Sequence, residues 1–159
     1  MKKVTYLVVL MLSMVTMFTS CEKDGGDDPI VPTITEADLV GNWNFVSLSL
    51  NGSSFTSVEL DEMNKTMNYV KLSLLDVKAT SNYGPILTIY DIYEDAGGFE
   101  PFKVEDNKIK CSCVFTVINA TDVLNGTNTV GDKEILKLKL ESASGVSNAP
   151  IGYVYTLEK

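Results

Sequence analysis

The residues of this chain that could do chemistry include two cysteines, Cys111 and Cys113, two positions apart in an apolar stretch. No third cysteine lies near them, so a metal site would lack ligands, and disulfide geometry is hard to reach within one strand. We therefore expect two small core side chains, because free cysteine packs as a small hydrophobe. An oxidising compartment leaves a strained or an intermolecular disulfide open.

Two groups of oxygen-bearing side chains are the other candidates. One group surrounds a Gly-Gly turn and the other follows an apolar strand: Asp91, Glu94 and Asp95, then Asp122, Asn125, Asn128 and Asp132. The second group lacks the regular alternation of a calcium loop. Carboxylate spacing alone does not identify an acid/base pair in the first group. The sequence predicts solvated side chains in both groups, with no metal, no cofactor and no catalytic residue.

The chain contains no histidine and no arginine. It therefore lacks the usual general base near neutral pH, the commonest zinc ligand and the rigid fork that binds phosphate. This composition predicts a protein that is not an enzyme. The net charge is −8, or −10 without Lys2 and Lys3, and an acidic chain with no basic stripe argues against nucleic acid as a partner.

The N-terminus predicts a signal peptide and a lipid anchor. Lys2 and Lys3 precede an uncharged run, Val4 to Phe18. This run is short for a membrane span of about 18 apolar residues and typical of a signal peptide. The run ends in Phe18-Thr19-Ser20-Cys21, which resembles a lipobox. The resemblance implies cleavage of residues 1–20 and acylation of Cys21, with the membrane as a partner.

Residues 21–34 contain Gly, Pro and acidic residues and predict a flexible tether. The acidic residues after Cys21 resemble the export signal of Bacteroidetes lipoproteins, which implies an outer-membrane location at the cell surface. A plain spacer and the periplasmic face remain the alternatives. Residues 35–159 are enough for one domain.

Short alternating segments with frequent turn signals predict an all-β, antiparallel domain of about eight strands. A cap at Thr35 starts a helical turn, and the alternation slips by one residue after Phe45, which indicates a bulge. We expect helical turns at 61–67 and a long loop at 120–132. Turns are expected at 51–52, 82–85, 95–98 and 105–107, and strands at 42–50, 55–60, 69–78, 86–93, 99–104, 108–119, 134–141 and 151–158.

Gly41 and Trp43, on the first predicted strand, resemble the Gly-x-Trp signature of lipocalins, and residues 153–159 are similar to the last strand of lipocalin-like domains on Bacteroidetes lipoproteins. The resemblance implies an up-and-down β-barrel in which Gly41 and Trp43 form the floor. Lipocalins usually place a late arginine over the tryptophan, and only Lys159 is available here. The predicted cavity lining is Phe45, Val70, Leu72, Phe115, Tyr153 and Tyr155, and exposed tyrosines among Tyr83, Tyr90, Tyr93, Tyr153 and Tyr155 would stack on sugars.

Two functions remain open at this point. The first is a binding module that holds a small apolar ligand inside the barrel. The second is an interaction protein with a filled barrel that binds a protein or a glycan through its loops. An eight-stranded barrel is about the size that fills with side chains or holds one small ligand, so strand count does not separate them.

Overall fold

The computed structural model describes residues 33–78, 86–91 and 96–159, with backbone alone for 86–91, 96–100 and Asp76. These residues belong to one compact unit, which spans Pro32–Lys159. Ile34, assigned to the tether by the sequence, is 2% exposed, and its amide donates to Asn107 Oδ1 at 2.9 Å. The packed domain therefore includes this residue.

Strands dominate the described residues. A 3-10 helix, Glu36–Leu39, precedes the first strand. The two α-helices are α1 (Ser57–Asn64) and α2 (Ala120–Asn125). The strands are β1 (Gly41–Leu50), β2 (Ser53–Ser54), β3 (Leu74–Val77), β4 (Ile86–Asp91), β5 (Ala96–Pro101), β6 (Lys103–Glu105), β7 (Lys108–Lys110), β8 (Cys113–Val117), β9 (Thr129–Val130), β10 (Lys133–Ala143) and β11 (Val154–Glu158).

All the strands form one antiparallel sheet, which confirms the predicted all-β class. The main order is β5-β4-β3-β1-β11-β10-β8-β7-β6, with β2 on β1 and β9 on β10. Along this order most neighbours follow one another in the chain once the short strands β2 and β9 are set aside, and β11 returns to pair with β1. The two ends of this order, β5 and β6, are joined by the single residue Phe102, but no pairing between them is present among the described residues. Hydrogen bonds therefore do not close the sheet.

The bulge predicted after Phe45 is present in β1. Phe45 faces Leu157 and Ser47 faces Thr156, so Val46 has no partner of its own on β11. Val46 is 47% exposed, whereas Leu48 is fully buried. The extra residue in β1 therefore turns Val46 outward and leaves Leu48 on the core side.

Two tight turns follow the predicted chemistry. Asn51 and Gly52, which join β1 to β2, have φ of 51° and 84°. Asp106 and Asn107, between β6 and β7, have φ of 53° and 59°. Both central residues of such a two-residue hairpin need positive φ, which Asn, Asp and Gly tolerate best. The predicted turn at 82–85 lies outside the described residues.

The segment predicted as one strand over 108–119 is a hairpin. β7 pairs with β8, with Ile109 opposite Phe115, and the chain reverses at Cys111 and Ser112. The apolar alternation continues through this reversal because directly opposite residues point to the same face. Ile109 and Phe115 are therefore both buried, and the prediction of a single strand is wrong.

Other predicted elements are replaced or shortened. Helix α1 lies where a strand was predicted over 55–60, and α2 lies within the predicted loop 120–132. The predicted turn at 95–98 falls partly in β5. The strand predicted over 69–78 is ordered as β3 only from Leu74, and Tyr69 has φ of 60°, a left-handed conformation that interrupts extended backbone.

The core is formed by the alternating residues of the long strands together with the helices. In β10 the predicted inward residues Leu136, Leu138 and Leu140 are at most 1% exposed. The remaining fully buried large side chains are Trp43, Tyr155, Phe115, Leu39, Leu48, Leu72, Leu74 and Ile109.

Candidate functional site

At the end of the sheet that contains Trp43, the side chain of Lys159 lies over the tryptophan ring. Trp43 is fully buried, and its Nε1 donates to the carbonyl of Leu39 at 2.9 Å. Lys159 Nζ lies 4.7 Å from the centroid of the Trp43 ring. The same ammonium donates to Val40 O at 3.1 Å and pairs with Glu134 Oε2 at 2.7 Å. Lys159 therefore occupies the position that the resemblance implied for a late cation over the tryptophan.

Gly41 is required at the start of β1 for two reasons. Its φ of +127° is a conformation that L-residues rarely adopt. A Cβ at this position would also lie 2.5 Å from Cδ of Lys159. The absence of a side chain at Gly41 is therefore what lets the lysine stem reach the Trp43 ring.

Four of the six side chains predicted to line a cavity are buried in the core. Val70 and Tyr155 are 0% exposed, and Leu72 and Phe115 are 1% exposed. Only Phe45 and Tyr153 are half-buried. Val70 and Tyr155 have no surface that a water molecule could touch and Leu72 and Phe115 have almost none, so these four side chains are packed against other atoms on nearly every side.

Tyr155 lies at the centre of this core. Its ring makes edge contacts with Phe45 and Phe115, at centroid distances of 6.5 and 6.1 Å. Its hydroxyl donates to the carbonyl of Tyr69 at 2.5 Å. Edge-to-face packing and a satisfied hydroxyl are what a buried tyrosine needs, so Tyr155 serves structure here.

The structure describes the side chains of only some of the other tyrosines that the sequence analysis considered for sugar stacking. Tyr153 stacks on Phe55 with centroids 5.6 Å apart and planes inclined by 28°. The side chains of Tyr83, Tyr90 and Tyr93 lie outside the described residues.

Neither Cys111 nor Cys113 forms a disulfide in the part of the chain that the structure describes. Cys113 is 3% exposed in β8, whereas Cys111 is half-buried at the hairpin turn. Cys111 Sγ lies 3.1 Å from Cys113 O, to which it donates. Cys113 belongs to the buried core and Cys111 packs against it, which agrees with the expected small core side chains.

The acidic groups form no metal centre among the described residues, where no three acidic, thiol or imidazole groups converge. Asp122 and Asn125 lie in α2, Asn128 is buried and Asp132 lies in the turn between β9 and β10. Asp91 ends β4, and its side chain, with Glu94 and Asp95, lies outside the described residues.

Two adjoining clefts, which the sequence interpretation missed, open beside the loop between α2 and β9. The larger has a volume of about 220 Å³ and is lined by Asp38, Val123, Gly126, Asn128, Thr129 and Glu134. The smaller, of about 160 Å³, is lined by Asn119, Asp122, Thr127, Asn128, Thr129, Val130, Ile135 and Lys137. No residue of the predicted cavity lining borders either cleft.

A glycine helix cap and several hydrogen bonds hold the residues around the two clefts in place. Gly126 ends α2 with φ of 65°, the left-handed C-terminal cap that favours glycine. Asn119 Nδ2 and Asn128 Nδ2 both donate to Ile135 O, at 2.9 and 3.0 Å. Lys137 N donates to Asn119 Oδ1 at 2.9 Å. A glycine cap followed by an asparagine is the only sequence signal here, and it does not indicate that Asn128 is buried.

The pKa shifts of several surface groups are caused by hydrogen bonds to neighbouring side chains. The hydrogen bond from Lys110 lowers the pKa of Glu105, and the same bond raises the pKa of Lys110. The pKa of Glu141 is lowered mainly by its hydrogen bond with Lys139, and then by one with Thr116. These groups are exposed ion pairs and line neither cleft.

Comparisons of the chain with protein-family models, with curated proteins and with solved structures return no match. In the part of the chain that the structure describes, every helix is too short or too polar to span a membrane.

Proposed function

We propose that this chain is a lipid-anchored, extracytoplasmic binding protein without enzymatic activity, whose interior is filled by side chains. It meets a protein or glycan partner through the loops at the α2 end of the sheet. The observation that carries this proposal is the burial of four of the six side chains predicted to line a cavity, together with two open clefts at the α2 end.

The anchor part of the proposal depends on the N-terminal sequence. Lys2, Lys3 and the uncharged run to Phe18 have the composition of a signal peptide. Cys21 comes shortly after this segment, at the end of a sequence that resembles a lipobox. Several acyl chains on one cysteine anchor firmly, because each buried methylene contributes about 0.8 kcal/mol. We place the domain on the outer membrane, displayed at the cell surface.

The strand order supports a lipocalin-like barrel. β5 pairs with β4, and β6 pairs with β7, while only Phe102 separates β5 from β6. We propose that β5 and β6 act as one bent strand. The ring β1, β3, β4, β5-β6, β7, β8, β10 and β11 then has eight antiparallel members, since β11 already pairs with β1.

The filled interior favours the interaction protein over the small-ligand carrier. A ligand pocket is usually preformed and has a volume of about 300–1,000 Å³. Val70, Leu72, Phe115 and Tyr155 instead pack at exposures of 0–1%. A ligand in their place would have to displace these side chains.

A titration with an apolar probe tests the interior. We would add a fluorescent naphthylamine to a soluble form that begins at Pro29, and to its Leu72→Ala variant. The variant provides the positive control, because removing a buried leucine leaves an apolar cavity that takes small apolar molecules. We expect saturable binding to Leu72→Ala and none to the wild type. One-site binding to the wild type would sink the filled-interior proposal and favour the small-ligand carrier.

A further inference from the structure

Asn128 gives the larger cleft an unusual polar wall. This residue is 9% exposed, and its Nδ2 donates to Ile135 O at 3.0 Å. Among the described residues no donor reaches its Oδ1. Buried polar atoms in native proteins are nearly always hydrogen-bonded, so an amide oxygen without a partner beside a cleft is suited to a donor from a ligand.

Two carboxylates border the same cleft, which we name the Asn128 cleft. Asp38 Oδ2 accepts from Thr35 N at 2.7 Å and from Thr35 Oγ1 at 2.8 Å. These donors are neutral, so they leave the charge of Asp38 uncompensated. Glu134 Oε2 pairs with Lys159 Nζ at 2.7 Å, which occupies only one of its two oxygens.

The lining therefore offers acceptors from three separate elements. Asp38 belongs to the 3-10 helix, Asn128 to the loop before β9, and Glu134 to β10. A primary ammonium group carries one positive charge and three N–H donors. Val123 adds an apolar wall along which an alkyl stem can lie.

We propose that the Asn128 cleft binds a primary alkylammonium group, supplied by a lysine side chain of a partner or by a free amine. This deepens the proposed function, on which it rests, by naming the chemistry that the α2 end recognises. A divalent metal fits less well, because calcium takes six to eight oxygen ligands and two carboxylates supply too few. A neutral sugar fits less well because its hydroxyls leave the negative charge unbalanced.

Amide and side-chain NMR spectra of the full chain in non-ionic polyoxyethylene micelles test this proposal. We would titrate n-butylammonium chloride at constant ionic strength, with n-butanol and n-butyltrimethylammonium as matched controls. We expect saturable shifts centred on Gly126, Asn128 and Thr129 for the primary amine. Binding of the trimethyl compound should be at least ten times weaker, because it has the charge but no N–H donor. Equal binding of the two cations would overturn the proposal. So would saturable binding of butanol, or of glucose titrated in the same way, without binding of the primary amine.

A pair of asparagine variants locates the site. Asn128→Ala and Asn119→Ala each remove one donor to Ile135 O, at 3.0 and 2.9 Å, but only the first removes an acceptor from the Asn128 cleft. We expect Asn128→Ala to weaken butylammonium binding at least tenfold and Asn119→Ala to change it less than twofold. If Asn128→Ala does not fold, Glu134→Gln replaces it and should weaken binding at least threefold. Unchanged binding in the folded variant contradicts the site.

Two further ligands distinguish the source of the amine. Nα-acetyl-lysine N-methylamide represents a partner's lysine side chain, and spermidine represents a free amine. Both should produce the shifts at Asn128, and the tighter ligand identifies the source. If neither amine binds while the interior still excludes the apolar probe, this inference fails and the proposed function stands.

Discussion

Replacing Gly41 by alanine should destabilise the domain through two separable effects. The φ of +127° at Gly41 lies outside the regions open to L-residues, a strain of about 1–3 kcal/mol. The new Cβ would also lie 2.5 Å from Lys159 Cδ and would displace that side chain.

The displaced Lys159 would lose three interactions. Its ammonium lies 4.7 Å from the Trp43 ring centroid, a contact that contributes about 0.5–1 kcal/mol at an exposed site. Its ion pair with Glu134 is partly exposed and contributes about 0–1 kcal/mol. The bond to Val40 O adds about 0.5–1.5 kcal/mol. With the backbone strain, these ranges add to about 2–6.5 kcal/mol, so we expect Gly41→Ala to cost roughly 4 kcal/mol in all.

Urea unfolding, followed by circular dichroism, measures the two effects. Gly52→Ala is the matched control, because Gly52 also has a positive φ, +84°, but no atom within 4 Å of its would-be Cβ. This control should lose only about 1–2 kcal/mol. In a Lys159→Ala background the cost of Gly41→Ala should fall by roughly 2 kcal/mol, which is a coupling energy that double-mutant cycles resolve. Equal losses at Gly41 and Gly52, or zero coupling to Lys159, would refute this reasoning.

Three other variants test the core, the bulge and a helix cap. Tyr155→Phe removes the buried 2.5 Å hydrogen bond and should lower the free energy of unfolding by about 1 kcal/mol, so an unchanged urea midpoint would count against that bond. Leu48→Ala should cost about 2–5 kcal/mol and Val46→Ala less than about 0.5 kcal/mol, because the bulge turns Val46 outward; similar losses would contradict the register. Hydrogen bonds from the backbone and then the side chain of Thr56 lower the pKa of Glu59. The stability that the Glu59 carboxylate adds is therefore fully present above the pKa of Glu59 in the unfolded chain, and it is lost as the pH falls through the pKa of Glu59 in the folded chain. We expect Glu59→Gln to be less stable than the wild type at neutral pH and equally stable in acid. A difference in stability that persists in acid would contradict the cap.

The sequence was sufficient where side-chain periodicity and turn chemistry act locally. β10 alternates leucine with lysine, so its buried face is readable from period two alone. The slip after Phe45 identified a bulge, and Asn51-Gly52 identified a hairpin, because both signals depend on neighbouring residues.

Other elements depend on signals that were misread or are weak in the sequence. Helix α1 begins with a capping box, in which Thr56 N donates to Glu59 Oε2 at 2.7 Å. The Thr-x-x-Glu pattern was readable, but the apolar residues around it suggested a strand. The hairpin of β7 and β8 keeps the same inward face as a single strand, so periodicity cannot distinguish the two.

The candidate site was the hardest part to predict because it is assembled by tertiary contacts. Asn128 is held beside β10 by hydrogen bonds that join its carbonyl to Ile135 N at 2.6 Å and its Nδ2 to Ile135 O at 3.0 Å. Asp38 and Glu134 are almost a hundred positions apart and yet line the same cleft. No local pattern carries that proximity.

Native mass spectrometry of the full-length protein released from its own membrane tests the central claim most directly. The proposal predicts a chain that begins at Cys21, carries acyl groups on that cysteine and holds no apolar molecule in its interior. A chain with residues 1–20 attached, an unmodified Cys21, or a tightly held apolar adduct released only on unfolding would contradict it.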